Sequence, residues 1–144
     1  MKRTYQKPCR HGMNWITQVK RLAIYLRDGL ACAYCGEGIE QNASLTLDHV
    51  KAARKRGSNS ERNLVSACSR CNMAKGRRDV RDFGRALAEY LNHTVTADQI
   101  IDHVNSQTRK SLPIAQAREL IESRGSAAKA LAHLRENGGA MCKR

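Results

Sequence analysis

Aromatic side chains are scarce in this sequence: one Trp, one Phe and four Tyr among 144 residues. A chain so poor in large rings must build its interior mostly from aliphatic side chains, and at this length that interior is modest. Small cores commonly need a staple, and a bound metal is one kind. Long apolar runs are missing too. None approaches the roughly 18 residues that cross a bilayer, so no membrane association is expected. No apolar stretch follows the basic N-terminus, so no secretory leader is expected either. Neither an internal repeat nor a long low-complexity tract is present. Acidic residues are the last shortage, 13 Asp and Glu against 26 Lys and Arg, which leaves a formal charge of +13.

These absences point to a reducing compartment, cytoplasmic or nucleoid-associated, where cysteine pairs bind metal more often than each other. The positive charge is unevenly spread. Residues 1–78 hold 16 basic against 5 acidic side chains, and residues 79–144 hold 10 against 8. An excess confined to one half of the chain marks a polyanion-binding face there, and nucleic acid is the expected partner.

Residues 1–13 read as a loose basic arm that contains Cys9 and His11. From Asn14 or Thr17 an amphipathic helix is expected, with Val19, Leu22, Ala23 and Leu26 on one stripe and Lys20, Arg21 and Arg27 off it. Thr17 suits its N-cap and Gly29 its far end, while Trp15 is expected to anchor it to the core. Residues 44–50 alternate toward a short strand ending near His49. A basic loop follows at 52–59, then a return strand at 64–67 and a short helix at 71–78. Four further helices are expected, at 79–92, from Thr96 or Asp98, at 113–124 and at 127–136. The expected divisions are an arm at 1–13, a core at 14–78 and a helical extension at 79–144. Because the extension is close to neutral, its helices suit a homodimer contact or a protein partner better than DNA.

Two knuckles, Cys32-Ala33-Tyr34-Cys35 and Cys68-Ser69-Arg70-Cys71, stand 32 residues apart. Together they supply four soft thiolates, the number that a tetrahedral structural Zn²⁺ requires. Disulfides and an iron–sulfur cluster are the alternatives at this spacing. Cys9 and Cys142 remain as free thiols. Between the knuckles lies Leu47-Asp48-His49-Val50, and His49 is the sole histidine in residues 12–92. Asn63 and Asn72 follow it, Asn63 just before Leu64-Val65 and Asn72 just after the second knuckle. His93, His103 and His133 have no such carboxylate neighbour and read as surface or packing residues.

With Cys32/Cys35, Asp48-His49, Asn63-Leu64-Val65 and Cys68-Ser69-Arg70-Cys71-Asn72-Met73-Ala74-Lys75 in this order, residues 32–76 resemble the HNH endonuclease family. The resemblance implies an α+β fold: a small zinc-stapled ββα-metal core, here preceded by one helix and followed by a helical C-terminal region. It implies a metal-dependent endonuclease that hydrolyses DNA and leaves 5′-phosphate and 3′-hydroxyl ends. His49 would be the general base, and Asp48 and Asn72 would ligate one catalytic Mg²⁺ or Mn²⁺. Asn63 would hold the loop that presents His49. Lys75 would touch a phosphate, and Arg54, Lys55, Arg56, Arg77 and Arg78 are further expected nucleic-acid contacts. Cys32, Cys35, Cys68 and Cys71 would hold one structural Zn²⁺. A phage or mobile-element origin would fit the resemblance, and restriction and repair roles stay open beside it. Asn72 stands where many members have His, and an amide oxygen is a hard ligand that favours Mg²⁺ or Mn²⁺ over Zn²⁺. Gly76 replaces a further His ligand of some relatives. The loop after His49 lacks the family's usual Pro and Gly-Gly and keeps one glycine, Gly57. A non-catalytic zinc-ribbon-like nucleic-acid-binding module is the rival reading of the cysteines and the charge.

Overall fold

The computed structural model describes residues 15–52 and 57–137. Cys9, His11, Arg54, Lys55, Arg56 and Cys142 lie outside the described residues.

Helix α1 (Gln18–Arg27) begins where the Thr17 hydroxyl accepts the Lys20 amide at 3.2 Å, which satisfies one of the donors every helix start leaves open. It stops at Asp28, and Gly29 follows at φ +72°, a left-handed conformation that glycine adopts without strain. Strands β1 (Leu45–His49) and β2 (Leu64–Cys68) pair antiparallel, with Leu45 opposite Cys68 and His49 opposite Leu64. Helix α2 (Ser69–Lys75) grows directly out of β2, because the Cys68 sulfur accepts the Cys71 amide at 3.4 Å and acts as its N-cap. The helix therefore starts two residues earlier than the expected 71–78. It ends earlier too, at Gly76 with φ +54°.

Four helices follow: α3 (Val80–Tyr90), α4 (Ala97–Arg109), α5 (Ile114–Arg124) and α6 (Ala127–Glu136). Three of them, α3, α4 and α6, start on side-chain caps. Asp79 accepts from the Asp82 amide at 2.8 Å, Thr96 forms a reciprocal capping box with Gln99, and Ser126 accepts from Lys129. Among the described residues no helix is long and apolar enough to cross a membrane. The architecture is α+β, with a two-stranded sheet and six α-helices among the described residues.

Strand alternation sends side chains to two sides of this narrow ribbon. Val65 and Ala67 join Tyr34, Phe83, Leu87, Ile100 and Val104 on one side. Leu47 and Leu64 meet Ile16, Ile24, Tyr25 and Leu134 on the other. A third cluster sets Leu22 and Ala23 of α1 against Ala117, Ala127 and Ala130. The helices after residue 79 are thus no separate appendage: α3 and α4 cover one face of the sheet, and α5 and α6 cover α1. A two-stranded ribbon has two apolar faces and cannot bury either alone, so the later helices complete it.

Arg27 departs from its expected place off the apolar stripe, since its side chain is fully buried. Its Nε donates to Asp28 Oδ1 at 2.8 Å, and its two terminal nitrogens donate to the carbonyls of Glu61 and Leu64 at 2.8 and 2.7 Å. Asp28 Oδ2 in turn accepts the Ser66 amide at 2.7 Å. The planar guanidinium suits this fixed set of acceptors, and the pair ties the end of α1 to the start of β2.

Candidate metal centre and nuclease site

The first knuckle is a tight turn closed by the Gly36 amide on the Cys32 carbonyl at 2.9 Å and the Cys32 amide on the Glu37 carbonyl at 2.8 Å. Gly36 sits at φ +80°, which lets the chain reverse without strain. The Ala33 amide donates to the Ser66 carbonyl at 2.8 Å and fastens the knuckle to β2. In each knuckle the second cysteine's amide points at the first cysteine's sulfur, at 3.5 Å for Cys35 onto Cys32 and 3.4 Å for Cys71 onto Cys68. All four sulfurs lie within 4.8 Å of one another, and Cys35 Sγ is 3.7 Å from Cys68 Sγ.

Thiols this close cannot all ionise unaided. Hydrogen bonds from Cys35 and Cys71 push Cys32 down to about 2, while the bond to Cys32 pushes Cys35 up to about 12 and Cys71 upward as well. One thiolate is therefore stabilised by its neighbours, which stay protonated. A cation at the centre supplies the missing positive charge for the rest. The four cysteines fit a tetrahedral metal such as zinc, and as free thiols they form no disulfide with each other.

Asp48 and His49 are adjacent on β1 and so project to opposite sides of the ribbon. Asp48 turns toward α2 and is buried. Its Oδ2 accepts the Tyr34 hydroxyl at 2.5 Å and pairs with Lys75 Nζ at 3.0 Å. Burial first, then the Asp48 charge, hold the Tyr34 phenol protonated, well above the usual tyrosine range. Asn72, one turn before Lys75, lies against the same strand. Its amide nitrogen donates to Thr46 Oγ1 at 2.9 Å and to the Leu47 carbonyl at 3.3 Å. Those bonds fix the amide and leave Asn72 Oδ1 without a protein partner among the described residues. Asp48 Oδ1 is likewise unpartnered. Two hard oxygens on one side of β1 are a donor set suited to a small divalent cation.

Lys75 corrects the sequence reading. It was expected to reach a phosphate, yet its side chain is fully buried and its ammonium spans Asp48 and the His49 carbonyl, each at 3.0 Å. An ammonium inside the protein must be paired, and the nearest carboxylate is the one that β1 turns inward. Arg77 and Arg78 are exposed as expected. Arg78 also donates to the Ala74 carbonyl at 2.7 Å and lies over the Phe83 ring at 5.4 Å.

His49 faces the other way, half-buried. Its Nε2 is 2.7 Å from Asn59 Oδ1, an oxygen that can only accept, so Nε2 is the donor and, in the neutral ring, Nδ1 the acceptor. Trp15 stacks on the imidazole, centroids 5.2 Å apart and planes inclined by 29°, and Arg21 lies over the Trp15 ring at 5.7 Å. Neither Asn59 nor Trp15 was foreseen at the site. Asn59 carried no signal beyond its place in the loop, and Trp15 precedes His49 by 34 positions.

Asn63 closes the loop from both ends. Its Oδ1 accepts the Lys51 amide at 2.8 Å, and its Nδ2 donates to the carbonyls of Lys51 at 3.0 Å and Ser58 at 2.8 Å. Gly57 is the other fixed point, because a Cβ there would stand 1.7 Å from the Lys51 carbonyl oxygen.

Comparison with known proteins places this geometry. Residues 32–78 match the family model described as HNH endonuclease. The CRISPR-associated endonuclease Cas9 of Corynebacterium diphtheriae is 43% identical over 51 residues, a stretch that is 35% of this chain and 5% of that protein. The chain thus matches only a small part of that relative's length. No solved structure matches. Residues 32–78, the stretch that contains the four clustered cysteines, Asp48, His49, Asn63 and Asn72, are thus the part of the chain that matches the HNH endonuclease family.

Proposed function

We propose that this protein is an HNH-type endonuclease that hydrolyses DNA phosphodiester bonds with the help of one divalent cation. The observation that carries the reading is the division of labour at the end of β1. Hard oxygen donors, Asp48 and Asn72, lie on its α2 side, and an imidazole with a free Nδ1 lies on its loop side. His49 takes the proton of an attacking water at Nδ1, while Asn59 holds the other ring nitrogen in its protonated form. Trp15 keeps the ring plane, and Asn63 and Gly57 hold the loop that carries Asn59. Asp48 and Asn72 would hold Mg²⁺ or Mn²⁺, which when bound offsets charge on the phosphate and the departing 3′ oxygen. Lys75 keeps Asp48 in place from inside the fold, a support role in place of the phosphate contact expected from sequence. The four-cysteine cluster is scaffold: it joins the first knuckle to the β2–α2 junction from which Asn72 projects. Attack by water leaves 5′-phosphate and 3′-hydroxyl ends.

A plasmid-nicking assay in Mg²⁺ and in Mn²⁺ tests this. Wild-type protein should relax supercoiled DNA, and His49→Ala should lose most of that activity, on the order of 10²-fold or more for a general base. Binding without cleavage by the wild type in either metal would overturn the enzyme reading and leave a nucleic-acid-binding module.

A further inference from the structure

A cavity of about 770 Å³ opens between the start of α1, the turn before β2 and the corner joining α4 to α5. Five cations line it: Lys20, Arg62, Arg109, Lys110 and Arg118, with Glu61 as its one acid. Glu61 is already engaged, 3.5 Å from Lys20. Arg62, Arg109, Lys110 and Arg118 are exposed, and Arg109, Lys110 and Arg118 form no ion pair among the described residues, while the charge of Arg62 also acts on Glu61. Unpaired cations around a concave wall repel one another, and an anion in the cleft relieves that repulsion. Helix α5 adds to the field. Its first residue Ile114 lines the wall, so the positive end of the helix dipole lies at the cleft.

The cleft also adjoins the histidine. Lys20 Nζ donates to the Asn59 carbonyl at 2.9 Å, and Asn59 Oδ1 bonds His49 Nε2 at 2.7 Å. An extended polyanion lying in the cleft therefore runs within one residue of the candidate base. A globular anion would use the cations but not this continuity, so a sugar–phosphate backbone fits best.

We propose that this cleft is a nucleic-acid backbone track, in which the α4–α5 corner supplies phosphate contacts from the C-terminal half. The proposal rests on the nuclease reading for its destination at His49, but not for its chemistry. It reassigns part of the helical region, whose near-neutral charge had pointed to protein partners. The ten basic side chains of residues 79–144 are nearly balanced by eight acids overall, yet three of them gather at this one corner.

The test is binding of a short labelled DNA duplex by the full chain, without divalent cation, across a salt series. Each lost phosphate contact lowers the slope of log affinity against log salt by about 0.9. Arg109→Ala/Lys110→Ala should reduce the slope by about 1 to 2 on that scale and weaken binding severalfold. Arg85→Ala/Lys129→Ala removes the same charge from exposed positions on α3 and α6 outside the cleft and should leave the slope near wild type. Arg109→Lys/Lys110→Arg should restore it, which separates lost contacts from a damaged fold. An unchanged slope in the first variant, or an equal loss in the control, would overturn the track, as would a wild type that does not bind the duplex. Nicking by the same proteins distinguishes the two claims. Cleavage with an unchanged slope removes the track alone, and a slope loss without wild-type cleavage removes the nuclease reading alone.

Discussion

At the scale of single residues, Lys75 and Asp48 show how one sequence position can serve the site from inside. Both side chains are buried, at 0% and 8% exposure, and their 3.0 Å contact leaves neither charge alone. Removing one partner strands the other in a poorly solvated interior. Lys75→Met should therefore lower stability by about 3–5 kcal/mol, read by chemical denaturation of the purified protein. Wild-type-like stability together with weakened DNA binding would restore the phosphate role that the sequence suggested. The motif Cys-Asn-x-x-Lys told which residue stands there. It could not tell that the side chain turns inward, because that depends on which face of α2 meets β1.

At the scale of elements, the knuckles join the N-terminal part of the site to the β2–α2 junction. Cys68 has two roles, as one of four clustered sulfurs and as the N-cap of the seven-residue helix α2. A helix this short has little intrinsic stability in water. Metal removal should accordingly loosen α2 and with it Asn72. Cys68→Ala is expected to lose the bound metal, from about one Zn²⁺ per chain by the four-ligand argument, and to unfold at lower temperature. Metal analysis alongside thermal unfolding checks this, and a Cys68→Ala protein that keeps both zinc and Tm would count against a structural zinc. The knuckle spacing, the cap at Thr17, the helix start at Thr96 and the strands flanking the loop were all legible in the sequence. Each depends on residues within a few positions of one another. The buried Arg27–Asp28 pair was not legible, since its hydrogen-bond partners lie 34 to 38 residues away.

For the whole molecule, the sheet is too narrow to stand by itself. Ala117, Ala127 and Ala130 close over Leu22 and Ala23, and Leu134 reaches the cluster around Leu47 and Leu64. Ending the chain after residue 110 would uncover all of these. We expect the truncated protein to lose cooperative thermal unfolding and to be cut rapidly in limited proteolysis. A truncated chain that melts like the wild type would show instead that α5 and α6 are dispensable for the fold of the rest. The first-half charge excess was likewise a correct count that missed how cations from both halves line one cleft.

The sequence alone determined the helices, the strand–loop–strand–helix order, the four thiols and the Asp48, His49, Asn63 and Asn72 set. Periodicity, capping and ligand spacing are properties of neighbouring residues, so they survive in one dimension. Tertiary structure decided that Lys75 supports Asp48, that Trp15 and Asn59 hold His49, and that Lys20, Arg62, Arg109, Lys110 and Arg118 share one cleft. Those contacts join positions far apart in the chain, and they exist only once the apolar faces of the ribbon and α1 have chosen which helices cover them.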